Sequence, residues 1–168
     1  MNYNRIAFSG AARSGKDEVS KIMVSLGYTR HSFGDIIKHQ LSSLIKEHTG
    51  IDSFTENDAE KTLIRPVLEA WSVTNSAGIL KQYWATAPTK FVNNRLVKLD
   101  EAVEFKKHGG SIVFVTRPGK FPATRWEDEQ LRALEESGMV DAYIDNNGTL
   151  EDLKKQVLKL LGKGVVLG

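Results

Sequence analysis

The chain has no cysteine, which excludes disulfides, thiolate metal centres and thiol nucleophiles. It has almost no charge bias. Its 23 Lys and Arg against 21 Asp and Glu leave +2 over 168 residues, too little to imply nucleic acid as a partner. No apolar run reaches the roughly 18 residues of a membrane-spanning helix, so no membrane association is expected. The first residues lack a charged segment followed by an apolar one, so no secretory leader is expected either. The four histidines, His31, His39, His48 and His108, show no metal-ligand spacing. Repeats, low-complexity tracts and linkers are likewise missing. What is present is ordinary for one soluble, cytoplasmic globular domain: 40% hydrophobic and 26% charged residues.

The hydrophobic pattern alternates short runs with longer periodic stretches. Residues 6–8 form an apolar run before Ser9-Gly10, as expected of a buried parallel strand. Val19, Ile22, Met23 and Leu26 then recur at helical spacing and stop at Gly27. A second strand is predicted over residues 28–33, and a helix follows Gly34-Asp35 through Ile36, Ile37, Leu41, Leu44 and Ile45. Residues 57–86 read as largely helical, with Leu63, Val67, Leu68 and Trp71 on one face and Pro66 starting or kinking a segment. Residues 91–107 read as another helix. A buried strand is predicted at 112–115, a loop at 117–125, a helix at 126–136 and a short strand at 142–144. After the turn Asn146-Asn147-Gly148, Thr149 and Asp152 have the spacing of a capping box for a last helix through Leu161. Strands alternating with helices predict an α/β sandwich with a mostly parallel sheet.

One motif carries chemistry. Gly10-Ala11-Ala12-Arg13-Ser14-Gly15-Lys16 satisfies G-x-x-x-x-G-K. With 14 glycines the spacing arises by accident about one time in ten, but here it lies between an apolar strand and an amphipathic helix. There, glycines let the backbone wrap an anion, and successive N–H groups and the helix N-terminus supply positive charge. In such a loop Lys16 is expected to reach toward the β- and γ-phosphates of a bound nucleotide. The next position usually holds a hydroxyl for Mg²⁺, but here it is Asp17, followed by Glu18. Either the two acids complement the helix dipole, or Asp17 holds hydrated Mg²⁺ through its oxygens or a water.

A phosphate loop ending in lysine-aspartate resembles that of bacteriophage-type deoxynucleoside monophosphate kinases, and further segments follow in order. Ser32-Phe33-Gly34-Asp35-Ile36-Ile37-Lys38 is similar to the family's S-F-A-D-x-L-K. The stretch from Arg65 through Glu69 to Trp71 is similar to its R-x-x-L-Q helix, with Glu69 for Gln. Lys81 to Trp84 resembles the basic-then-tryptophan stretch, and Val113 to Arg117 a strand ending in D-V-R. Ile144-Asp145-Asn146-Asn147-Gly148-Thr149-Leu150 resembles an N-x-G-T-L ending shared with dephospho-coenzyme A kinases. The chain departs from the pattern at Ser72-Val73-Thr74, where the family has Gly-Thr-Glu. It departs again at Val115, which stands in place of an aspartate that would help hold metal.

The resemblance implies a three-layer P-loop NTPase fold, a mostly parallel sheet flanked by helices with a helical acceptor or lid region. The whole of 1–168 would be one kinase domain, with about 50–110 a helical acceptor-binding insertion. It implies ATP and Mg²⁺ as cofactors, a nucleoside monophosphate as substrate and product diphosphate, and a homodimer. The cytoplasm would be the host's if the chain is phage-encoded.

Donor contacts fall on Gly10, Ala12, Arg13, Ser14, Gly15, Lys16 and Asp17, and acceptor contacts on Asp35, Arg65, Glu69 and Arg117. Lys16, Arg65 and Arg117 are the catalytic candidates, since guanidinium forks bind phosphate bidentately. Asp35 either contacts the acceptor or caps the helix starting at Ile36. Lys81, Lys120 and Arg125 are lid candidates, and Trp71, Tyr83 and Trp84 either stack on a base or belong to the core. Two alternatives stand beside this reading. One is a hydroxyl-phosphorylating kinase of dephospho-coenzyme A kinase type, and the other a nucleotide-binding protein without turnover.

Overall fold

The computed structural model describes residues 1–162. They form five strands and seven helices: β1 Arg5–Ser9, α1 Lys16–Ser25, β2 Thr29–Arg30, α2 Phe33–Thr49, α3 Asp58–Thr74, α4 Ser76–Ala85, β3 Phe91–Asn93, α5 Leu99–Lys107, β4 Ser111–Thr116, α6 Arg125–Glu136, β5 Ala142–Asp145 and α7 Leu150–Leu160. The chain divides into two compact units, one of Met1–His31 with Pro88 onward and one of Ser32–Ala87.

The first unit holds the sheet, all parallel, in the order β2-β3-β1-β4-β5. Strand alternation sorts its side chains by face. Ile6, Phe8, Val92, Val113, Val115 and Ile144 join Val19 and Met23 of α1 and Leu153 and Val157 of α7 in one buried cluster. The alternate residues Ala7, Phe91, Ile112 and Phe114 are equally buried, and Phe91 meets Phe105 of α5 edge-on at 6.1 Å. Helices α1 and α7 pack together on one face, while α5 packs on β4 and on α6. Both faces are therefore covered, which explains why the strands read as unbroken apolar runs. The predicted three layers are present.

Beyond β1, the chain builds β2 and β3 on one side and then β4 and β5 on the other. The carboxyl end of β1 is therefore a topological switch point, where ligands bind in open α/β sheets. The loop from Gly10 to Gly15 starts there.

The second unit is helical. Leu41 and Ile45 of α2 and Ile64 of α3 form its core, with Ile37, Ile51, Leu68 and Trp71 packed against them. Phe33 and Tyr83 stack at 4.1 Å between centroids. Gln40 ties the three helices: its Nε2 donates to Gln82 Oε1 at 2.7 Å, and its Oε1 accepts from Trp71 Nε1 at 2.8 Å and Asn75 Nδ2 at 3.2 Å.

Several sequence expectations need correction. Residues 91–107 are not one helix: Phe91–Asn93 is a strand and α5 begins at Leu99. The second strand is only Thr29–Arg30, because Ser32 ends the extended run by accepting the Asp35 N–H as N-cap of α2. Asp35 is therefore not the cap; it lies in the helix's first turn. Residues 57–86 divide into two helices at Asn75, and α3 runs through Pro66 without ending. Leu63 is 70% exposed and Val67 also faces out, while Ile64 takes the inner position.

Candidate functional site: a phosphate loop at the end of strand β1

The loop from Gly10 to Gly15 is shaped by backbone that most side chains resist. Gly10 has φ 134° and lies so close to β4 that a Cβ would come within 2.2 Å of the Val115 carbonyl oxygen. Gly15 has φ 107° and immediately precedes α1. Arg13, with φ 61°, is the one non-glycine at positive φ among the described residues. Such a residue in the left-handed region marks a backbone held by its surroundings. Its exposed side chain projects from the loop.

Lys16 opens α1 and folds back over the loop. Its Nζ donates to the Gly10 carbonyl at 2.8 Å and the Ala11 carbonyl at 2.6 Å, with Ser14 Oγ at 3.5 Å. Burial lowers its pKa from 10.5 to about 8, and the positive charge of Arg95 pushes the same way. The carboxylates of Glu127 and Asp17 oppose that shift. A partly desolvated ammonium at a helix N-terminus is poised for an anion.

Asp17 does more than complement the helix dipole. Its Oδ1 accepts from Asn94 Nδ2 at 2.8 Å, whereas Glu18 pairs on the surface with Lys21 at 2.7 Å. Asn94 follows β3, and its neighbour Asn93 accepts the Arg95 N–H at 3.0 Å through Oδ1. Asn93 Nδ2 and Ser9 Oγ are buried with no hydrogen-bond partner among the described residues. Two orphaned polar atoms at the carboxyl ends of adjacent strands are a costly feature of a core and an ordinary one of a ligand site.

Val115, by contrast, belongs to the core. Its side chain packs in the cluster with Phe8 and Ile144, so an acid at this position would face apolar side chains and not the phosphate loop. Among the described residues no group of three or more His, Cys, Asp or Glu could hold a metal by itself. Asp17 offers a hard carboxylate oxygen at the loop, the donor type Mg²⁺ takes from a protein that leaves its other positions to phosphate and water.

Residues 117–124 connect β4 to α6 and carry Arg117, Lys120 and Phe121 on the surface. Lys120 N–H donates to the Arg117 carbonyl at 3.1 Å. The loop is anchored at its far end: Thr124 Oγ1 caps α6 by accepting the Glu127 N–H at 3.1 Å, and the Glu127 carboxylate accepts the Ala123 N–H. Glu127 is the only charged side chain in the buried set of the described residues, 7% exposed. Arg125 lies in the first turn of α6 and pairs with Glu129 at 2.9 Å.

The sheet-bearing unit contains Gly10 to Asp17, Asn94, Arg95, Arg117, Glu127 and Asn146, whose Nδ2 donates to the Ser14 carbonyl. Asp35, Arg65, Glu69 and Lys81 belong to the helical unit. There Arg65 and Glu69 are exposed one turn apart on α3, and Asp35 is half-buried on α2. Tyr83 is fully buried and Trp71 is hydrogen-bonded to Gln40, so the core alternative holds for both. Asn94, Arg95, Glu127 and Asn146 were not among the sequence candidates. Arg95 and Asn94 were hidden by reading β3 as helix. Thr124 and Glu127 show the T-x-x-E capping signature, which could have marked that carboxylate as held in place.

No family model matches the chain, and no curated protein matches it in sequence. Solved structures do match over nearly its whole length. A shikimate kinase from Aquifex aeolicus aligns with TM-score 0.60 at 17% identity, covering 98% of this chain and 99% of that one. A shikimate kinase from Acinetobacter baumannii in complex with shikimate aligns with TM-score 0.51 at 16% identity, covering 98% and 96%. A dephospho-CoA kinase from Campylobacter jejuni aligns with TM-score 0.50 at 16% identity, covering 95% and 96%. These similarities define the class of structure: the α/β fold of P-loop kinases, a five-stranded parallel sheet flanked by helices. In this chain the loop at residues 10–15 joins β1 to the start of α1 at Lys16. Among the described residues no helix is long and apolar enough to cross a membrane.

Proposed function

We propose that this chain is an ATP-dependent phosphotransferase that converts (deoxy)nucleoside monophosphates to diphosphates. The observation that carries the reading is Lys16, a partly desolvated ammonium stowed on the Gly10 and Ala11 carbonyls, followed by an aspartate held by Asn94. That lysine-aspartate pair is also the most specific part of the resemblance to nucleoside monophosphate kinases. Gly10, Ala12, Arg13, Ser14 and Gly15 wrap the donor phosphates, and Lys16 neutralises charge on the group being transferred. Asp17 would hold Mg²⁺, which would supply charge neutralisation for the donor phosphates. Asp35, Arg65, Glu69 and Arg117 bind the acceptor. Arg65 and Arg117 grip its phosphate through planar forks. A monophosphate acceptor has a second pKa of about 6 and is already nucleophilic at neutral pH, so no general base is needed. The enzyme works in the cytoplasm as a homodimer, without nucleic acid or membrane partners.

The structural neighbours favour a second reading. They are named for shikimate, gluconate and dephospho-CoA, small molecules other than nucleoside monophosphates. A small-molecule hydroxyl kinase would use the same donor loop and would need a base at the acceptor. Coupled ADP release separates the two readings. The assay uses ATP-Mg²⁺ with the eight common ribo- and deoxyribonucleoside monophosphates, and in parallel dephospho-CoA, shikimate and gluconate. Turnover of at least one monophosphate and none of the hydroxyl acceptors is expected. Turnover confined to a hydroxyl acceptor overturns the first reading, and tight ATP binding without ADP release from any acceptor overturns both.

A further inference from the structure

Asn146 stands directly after β5 and reaches back 132 residues to the phosphate loop. Its Nδ2 donates to the Ser14 carbonyl at 3.0 Å, and its backbone N–H donates to the Thr116 carbonyl at 2.8 Å. The turn that carries it is fixed from several sides. The Asp145 N–H donates to Gln156 Oε1 at 3.0 Å, and Gln156 Nε2 returns to the Asp145 carbonyl at 2.7 Å. Asn147 Nδ2 donates to Asp145 Oδ2 at 2.8 Å, and Thr149 and Asp152 cap α7 reciprocally. The Asn146 amide is therefore presented from backbone with little freedom to move away.

What it touches determines what it does. The Ser14–Gly15 peptide is trans, so its C=O and N–H point in opposite directions in one plane. Fastening the Ser14 carbonyl to Asn146 turns the Gly15 N–H to the other side. Gly15 fits against the same side chain, because a Cβ there would come within 2.3 Å of Asn146 Nδ2. A loop that binds anions through N–H groups must keep its carbonyls turned away from them, since a carbonyl facing a phosphate repels it.

We infer that Asn146 is a positioning residue for donor phosphates, holding the Ser14–Gly15 peptide so that the Gly15 N–H faces the phosphate cradle. The inference rests on the proposed reading of this chain as an ATP-dependent kinase. Asn146 acts through Ser14 and Gly15, and its effect falls on the donor, not on the acceptor. The β5–α7 turn is thereby part of the donor site, although its amide touches only protein.

Asn146→Ala and Asn146→Asp test this, the second keeping size and losing the N–H donor. ADP and ATP binding are measured by titration calorimetry with and without Mg²⁺, and KM is measured separately for ATP and acceptor. Both variants are expected to weaken ADP binding about tenfold and to raise the KM for ATP, with the acceptor KM unchanged. Equal affinity in wild type and both folded variants overturns the inference alone; wild type binding neither ADP nor ATP overturns the kinase reading with it. Should both variants fail to fold, ¹⁵N-labelled wild type titrated with ADP gives the answer. The Gly15 amide resonance should shift more than those in the later turns of α1. A Gly15 amide that stays still while its neighbours move overturns the inference.

Discussion

Asn94 donates to the Asp17 carboxylate at 2.8 Å, tying the end of β3 to the first turn of α1. The bond occupies one side of Oδ1 and fixes the rotamer of a carboxylate that would otherwise swing in solvent. Asp17 brings a full negative charge to a position where phosphate loops usually carry a neutral hydroxyl. Divalent cations gain from that charge, and bare phosphates lose.

Magnesium dependence should therefore be steep and should reside in this pair. Asp17→Ala is expected to raise the Mg²⁺ concentration for half-maximal activity at least about tenfold, and Asn94→Ala to raise it by a smaller factor in the same direction. Binding of metal-free ADP to Asp17→Ala should tighten, because a repelling charge has gone. Mg²⁺ titrations of turnover and of ADP binding check both. An unchanged Mg²⁺ dependence in Asp17→Ala would leave the acid as a partner of the helix dipole only.

Lys16 makes the site pH-sensitive, and the sign follows from burial. Its native pKa is lowered to about 8 from 10.5, so between those values the unfolded chain binds more protons than the native one. Lys16 therefore opposes folding below pH 8, and this contribution fades as pH rises toward 10.5. Thermal melts of wild type and Lys16→Met should differ below pH 8 and converge above about 10. If phosphoryl transfer uses the Lys16 ammonium as proposed, kcat/KM for ATP should fall as pH rises through about 8. Arg95→Ala should move that fall to higher pH, since the guanidinium depresses the lysine. Lys16→Met should lose at least about 100-fold in turnover while staying folded.

Arg117 follows β4, is exposed, and is not among the buried core residues. Arg117→Lys keeps the charge and removes the fork. A loss of about tenfold in kcat/KM is expected with no change in melting temperature. If the variant matches wild type for every acceptor, Arg117 is a solvated surface charge.

The parts of this site that were legible in the sequence are those encoded locally. A strand, two glycines at fixed spacing and a lysine at a helix start sit within a dozen residues, and the Thr149/Asp152 capping box within four. β3 was not legible. It is three residues long, and the apolar residues after it, Leu96, Val97 and Phe105, continue a plausible helical period. On α3 two of the four residues read on one face, Leu68 and Trp71, do pack against the core, while Leu63 and Val67 face out and Ile64, one position or about 100° away from Leu63, takes the inner place. Asn94 and Asn146 act across 77 and 132 residues of sequence, and locally Asn94 reads as part of a helix and Asn146 as part of the turn Asn146-Asn147-Gly148. Their roles exist only once the parallel sheet brings the ends of β3 and β5 to the loop after β1.

Asp35 separates the two enzyme readings most sharply. The cap of α2 belongs to Ser32, whose hydroxyl accepts the Asp35 backbone N–H at 3.3 Å, so Asp35→Asn leaves that bond in place. The substitution removes a negative charge from a helix's first turn, at a stability cost of about 0.3–1 kcal/mol, and keeps the side chain's shape. If the acceptor is a monophosphate, Asp35 only orients it. The variant should then lose about tenfold to a hundredfold in kcat/KM, with a pH profile still set by the acceptor phosphate near its pKa of about 6. If the acceptor is a hydroxyl, the carboxylate must take its proton, and the loss should be far larger. The acidic limb of the profile would then disappear with the carboxylate. Measuring kcat/KM against pH for wild type and Asp35→Asn decides between them. The monophosphate mechanism requires that the limb survive in the variant.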